Sequence, residues 1–195
     1  MSIDIRPLTP DLAETFVRLF DDLSFEHARE WKGCYCRFYQ TDCDFDSWIG
    51  RTGEDNRRDA LEAIRAGHMH GYVAIEEGVC VGWVNAADAL DYVRLRNDLA
   101  PHVGTRKVGL TICFVIEPGH RNNGLARMLL KAAVDGFRRD GYEAAIGLPI
   151  DRPMADERRY RGTLNMYREA GYLECGRHAA IVVMELDLTG KGGRP

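Results

Sequence analysis

Apolar positions along this chain switch repeatedly between a spacing of two and a spacing of three to four, which predicts strands and helices in alternation. Ile3-Asp-Ile-Arg-Pro7 reads as a short strand halted by proline, and Leu12, Phe16, Leu19 and Phe20 then recur at helical spacing over residues 11–20. Residues 59–66 read as helix up to Gly67. The apolar runs 69–75 and 79–85, separated by Glu76-Glu-Gly78, predict a hairpin. Residues 108–116 form a longer apolar run. Behind it Leu125, Met128, Leu129, Ala132, Ala133 and Phe137 mark one face of a helix over 124–139 that ends near Gly141. A strand over 142–150, a helix over 164–170 closed by Gly171, and a strand over 181–188 complete the pattern.

The order β-α-(α)-β-β-β-α-β-α-β implies a mixed sheet with helices on its faces, an α/β (α+β) single domain over residues 1–188. Residues 189–195 read as a flexible glycine-rich tail. Two stretches lack a period: 31–40, rich in cysteine and aromatics, and 86–107, where Pro101 and Gly104 interrupt any pattern. The second reads as a long loop.

With 195 residues, 45% hydrophobic and 29% charged, the chain has the balance of a globular domain large enough to need no staples. A net charge of -4 argues against nucleic acid as a partner. No apolar run is long enough for a membrane span, and the opening Met-Ser-Ile-Asp-Ile-Arg is neither basic nor apolar enough for a leader. No membrane partner and a cytoplasmic address are expected. The six cysteines are too few for a disulfide framework at this length and read as free thiols.

The most informative stretch joins the strand 108–116 to the helix that follows. Pro118 ends the strand, and Arg121-Asn-Asn-Gly124-Leu-Ala126 carries the chain into the helix. Amides in a first helical turn have no intrahelical acceptor and lie at the positive end of the macrodipole, so this turn can cradle a diphosphate. Gly124 and the small Ala126 let phosphate oxygens approach the backbone.

The spacing Arg121-x-x-Gly124-x-Ala126 after a strand resembles the acyl-CoA-binding motif of the GCN5-related N-acetyltransferase (GNAT) superfamily, Arg/Gln-x-x-Gly-x-Gly/Ala. Tyr167-Arg-Glu-Ala-Gly171-Tyr172 resembles that family's second motif, Tyr-x-x-x-Gly-Phe/Tyr. The resemblance covers about residues 3–188. It implies a GNAT-like, mostly antiparallel central sheet with a splay between two parallel strands, and acyl transfer, most simply acetyl from acetyl-CoA, to a primary amine by direct attack in a ternary complex. Phe114, Val115 and Ile116 would meet the thioester arm, and Arg121, Asn122, Asn123, Gly124, Leu125, Ala126 and Arg127 the diphosphate. Tyr167 would donate to the departing sulfur. The acceptor would be a small-molecule or peptide amine, and a homodimer stays open.

A base to accept the amine proton is harder to name. Some family members carry a glutamate where this chain has Leu110. That gap motivates an alternative reading as a non-catalytic acyl-CoA-binding module. Glu117, His68, His70, His102 and Asp88 are candidates by residue type. Cys34, Cys36 and Cys43 lack the paired Cys-x-x-Cys knuckles of a zinc site, so no metal is expected. Trp31, Tyr35, Phe38 and Tyr39 around them read as a wall of the acceptor pocket, and the 86–107 loop as part of the same side.

Overall fold

A computed structural model describes residues 2–26, 28–155 and 158–190. Among the described residues, seven strands form one sheet in the order β1-β2-β3-β4-β5-β7-β6. They are β1 (Asp4–Pro7), β2 (Gly71–Glu76), β3 (Val79–Asp88), β4 (Val108–Ile116), β5 (Ala144–Gly147), β6 (Leu173–His178) and β7 (Ile181–Asp187). Only β4 and β5 run parallel; the other neighbours are antiparallel. The α-helices are α1 (Ala13–Asp22), α2 (Phe45–Ile49), α3 (Gly53–Arg65), α4 (Arg96–Val103), α5 (Leu125–Arg139) and α6 (Leu164–Glu169).

Strand alternation divides the core in two. Val73, Ile75, Trp83, Leu110 and Ile112 face one way, against Leu12, Phe16, Phe20, Ala60 and Ile64 of the α1 and α3 side. Ala74, Val84, Ala86, Phe114 and Ala145 face the other way, against Leu125, Leu129, Ala133 and Phe137 of α5 and Met166 and Tyr167 of α6. Helices on both faces explain why β3 reads as a nearly continuous buried run.

The structure departs from the sequence pattern in four places. The 86–107 stretch is not a structureless loop: a 3₁₀ turn at Ala89–Asp91 and α4 occupy it, with Pro101 inside the helix and Gly104 ending it at φ 56°. It leads from the end of β3 to the start of β4, so it lies at the opposite end of β4 from Ile116. Helix α3 begins at Gly53, six residues ahead of the apolar pattern, because Thr52 and Asp55 form a reciprocal capping box ahead of two polar turns. Strand β6 gives no hydrophobic signal because it is an exposed edge, Leu173 itself being 76% exposed. Strand β5 is shorter than 142–150, and only Ile150 bridges onward, to Ile181. Of the expected tail, residues 191–195 lie outside the described residues.

Candidate active site

The two parallel strands part company halfway. β4 pairs with β5 only from Val108↔Ala144 to Thr111↔Gly147, and β4 then runs on to Ile116 without that neighbour. A bulge marks the parting. Cys113 sits at φ 56°, and the register to β3 shifts between Asn85↔Ile112 and Trp83↔Val115. Glu117 donates its N–H to Val81 of β3, so strand alternation turns the groups of Phe114 and Ile116 toward the open side. The Phe114 N–H is taken there by the Tyr160 carbonyl at 2.7 Å, and the Ile116 carbonyl accepts from Arg121 Nε at 3.1 Å. Phe114 therefore packs its amide against protein in this structure, and the outward-facing N–H of the pair is that of Ile116.

The turn into α5 is a row of unused donors. Side chains cap α2, α3 and α6, through Asp44, Thr52 and Thr163. At α5 the capping position is Gly124, which has no side chain to offer, and no acidic residue stands in the first turn. Among the described residues, no protein group accepts from the N–H of Asn122, Asn123, Gly124, Leu125 or Ala126. Asn122 at φ 60° and Gly124 at φ 81° curl the backbone so that consecutive amides converge. A Cβ built on Gly124 meets nothing within 4 Å, so the space above the turn is open.

This turn forms one arm of a cleft of about 830 Å³. Of the residues expected to hold an acyl carrier, Phe114, Val115, Ile116, Arg121, Asn122, Gly124, Leu125, Ala126 and Arg127 line it, and Asn123 alone does not. The other arm is built by Phe25, Glu26 and Trp31 ahead of α2, and by Arg159, Tyr160 and Thr163 ahead of α6. Trp31 and Tyr160 meet edge to face at 4.8 Å, and Glu30 and Arg158 are ion-paired beside them. Of the aromatics expected to wall the acceptor side only Trp31 lines the cleft. Tyr35 and Tyr39 are buried, and Phe38 packs on Trp48 under Arg94. Glu26, Arg159 and Tyr160 are contributed by segments with no apolar period. Thr163 did carry a signal, as a cap residue just before a helical run.

Tyr167, the expected donor to the departing sulfur, belongs to the core beside α5. It is fully buried, does not line the cleft, and its hydroxyl is enclosed by Thr111 Oγ1 at 3.2 Å and the Arg161 carbonyl at 3.2 Å. Burial holds its proton on well above the ordinary phenol range. Its ring plugs the splay: a Cβ on Gly147, the last residue of β5, would fall 2.1 Å from Tyr167 Cε1.

None of the candidate bases lines the cleft. Asp88 pairs with Gly109, seven residues along β4 from Ile116 and about 20 Å away by strand rise. His70 lies at that same end, its carbonyl accepting from Ala86, and His102 packs on the edge strand beside Cys175. Leu110 is fully buried core. Glu117 is spoken for by His120, whose ring lies between two carboxylates, Nδ1 to Glu117 at 2.6 Å and Nε2 to Glu76 at 2.9 Å.

Those hydrogen bonds, Glu76 first and then Glu117, raise the His120 pKa above its ordinary 6.5, and the bond to His120 lowers that of Glu117 below 4.5. The raised histidine stabilises the fold fully below pH 6.5 and loses that contribution as pH climbs through its folded value. The depressed glutamate contributes above pH 4.5 and loses its share as pH falls through its folded value. Thermal unfolding midpoints should therefore drop as pH rises from about 6.5. His120→Gln should flatten that slope; an unchanged slope in the variant rules the cluster out as its source.

The sequence matches the model of the Acetyltransferase (GNAT) family over residues 25–172, and the chain belongs to that family. No curated relative matches it. Solved structures share the fold at low identity. PaiA N-acetyltransferase from Thermoplasma acidophilum, in complex with coenzyme A, is 15% identical with a TM-score of 0.55, over 96% of this chain and 99% of that one. YncA from Salmonella typhimurium, with its cofactor acetyl-CoA, is 16% identical with a TM-score of 0.56, over 100% and 98%. An N-acetyltransferase from Staphylococcus aureus Mu50 is 12% identical with a TM-score of 0.57, over 97% and 100%.

Proposed function

We propose that the protein transfers an acyl group, most simply acetyl, from acetyl-CoA to a primary amine held in the second arm of the cleft. The observation that carries this reading is the uncapped turn 122–126, where free amides converge at the positive end of α5 beside Arg121 and Arg127. That donor set suits a diphosphate. The Ile116 N–H, on the edge β4 leaves open, suits the amide-bearing arm of the same molecule, which would lie along β4 as an added strand. Acetyl-CoA supplies the activated thioester.

The chain's own part is to place the two reactants and to handle charge. Glu26 is the one carboxylate among the described residues lining the cleft, and it belongs to the second arm. It draws a cationic amine and keeps it beside the open edge of β4. The aromatic faces of Phe25, Trp31 and Tyr160 suit an acceptor that is partly apolar.

Calorimetry with CoA, followed by a thiol-release screen over small amines and amine-terminal peptides, tests the reading. Saturable CoA binding with acetyl transfer to at least one amine class is the expected result. Failure to bind CoA sinks it, and binding without turnover on every amine favours a binding module instead. For the active amine, Glu26→Gln should raise KM about five- to tenfold, the ~1 kcal/mol of a partly exposed charge pair, with CoA affinity unchanged.

A further inference from the structure

Arg161 is an unusual residue to find inside this protein. It is 8% exposed, forms no ion pair among the described residues, and its buried Nη1 has no hydrogen-bond partner. A buried guanidinium without a carboxylate costs several kcal/mol unless its other groups are well used. Here they serve two phenols. Nη2 donates to Tyr39 Oη at 2.8 Å and Nε to Tyr160 Oη at 3.1 Å, while the two hydroxyl oxygens lie 2.9 Å apart.

Counting protons fixes the direction of the bond between the phenols. Arginine only donates, so each oxygen accepts one bond from Arg161. Tyr39 is buried, and among the described residues the single acceptor its proton can reach is Tyr160 Oη. A buried hydroxyl keeps its proton on an acceptor, so Tyr39 donates to Tyr160. Tyr160 then carries two incoming hydrogen bonds, and among the described residues its own proton has no acceptor. Tyr160 is also the member of this trio that lines the cleft, and its carbonyl is fastened to Phe114 N–H on the open side of β4.

We propose that Tyr160, and not Tyr167, is the catalytic proton donor to the departing CoA sulfur, with Tyr39 and Arg161 as positioning residues. This rests on the acyl-CoA reading above. The bond from the amine nitrogen to the acyl carbon forms, the carbon–sulfur bond breaks with its electron pair left on sulfur, and Tyr160 Oη passes its proton to that sulfur. The nitrogen releases its surplus proton to water, and Tyr160 recovers one from water, so the net change is one proton from nitrogen to sulfur. The charge left briefly on Tyr160 faces the Tyr39 hydroxyl and the Arg161 guanidinium. The other charged groups nearby are Arg158 and Glu30, beyond Trp31, and the titratable Cys113 lies near Tyr39.

The test uses CoA itself as probe. The thiolate absorbance of bound CoA, titrated over about pH 7 to 10, reports any donor at the sulfur without needing an acceptor amine. Tyr160→Phe should move that titration up by about one unit, and Tyr167→Phe should leave it in place. With an active amine, Tyr160→Phe should lower kcat about 100-fold with KM for acetyl-CoA within about twofold. A titration moved by Tyr167→Phe and not by Tyr160→Phe overturns the proposal. Should Tyr160→Phe fail to fold, 3,5-difluorotyrosine at position 160 keeps ring and hydroxyl; the alkaline limb of kcat must shift to lower pH, and an unmoved limb overturns the assignment. A wild-type protein that binds no CoA fails earlier, at the calorimetry, and removes the acyl-CoA reading together with this one.

Discussion

Gly124→Trp should abolish CoA binding, raising Kd at least 100-fold by calorimetry while the thermal midpoint falls by no more than about 8 °C. A Cβ at position 124 meets no protein atom within 4 Å, so the new side chain leaves the backbone into open space. It does occupy the approach to the amides of Asn122 through Ala126. A second cost comes from the backbone, since φ 81° disfavours any residue with a Cβ by about 1–2 kcal/mol. Gly124→Ala separates the two effects: it carries the backbone cost with little bulk and should weaken binding far less. Wild-type affinity in the tryptophan variant would mean that the diphosphate is held elsewhere.

Tyr167→Ala should destabilise the fold by about 3–5 kcal/mol, the range for removing a large buried aromatic. Its ring fills the place where β4 and β5 diverge, touches Gly147 and Gly162, and meets Tyr172 edge to face at 5.1 Å. Tyr167→Phe keeps that packing and loses only the bonds at Thr111 and the Arg161 carbonyl, so about 1–3 kcal/mol is expected. Chemical denaturation of both variants checks the pair. A phenylalanine variant as stable as wild type but inactive would return Tyr167 to a chemical role.

How legible this was in the sequence depends on what each residue must satisfy. The α5 face and the turn before it could be read because a run such as Leu125, Leu129, Ala133 and Phe137 has one packing solution, and because Gly124 stands where a cap would otherwise be. β6 could not be read, since an exposed edge strand needs no apolar alternation. Nor could α4, where Pro101 sits in the last turn of a largely polar helix. At the site, the Tyr-x-x-x-Gly-Tyr motif points to Tyr167, whereas the proposal for Tyr160 rests on burial and the direction of hydrogen bonds. Those depend on Tyr39, Tyr160 and Arg161, brought together across 122 positions of sequence. Glu26 lies in a segment whose shape is set by its neighbours and not by any period of its own.

A grip made of main-chain N–H groups is written in the path of the chain and not in its letters. The side chains of Asn122 and Asn123 are exposed and can drift without loosening it. The acceptor side, made of Phe25, Glu26 and Trp31, has no such shelter, for there every letter is part of the message. The donor can thus stay fixed while the acceptor is rewritten, which makes the first arm a handle for inheritance and the second a place for invention.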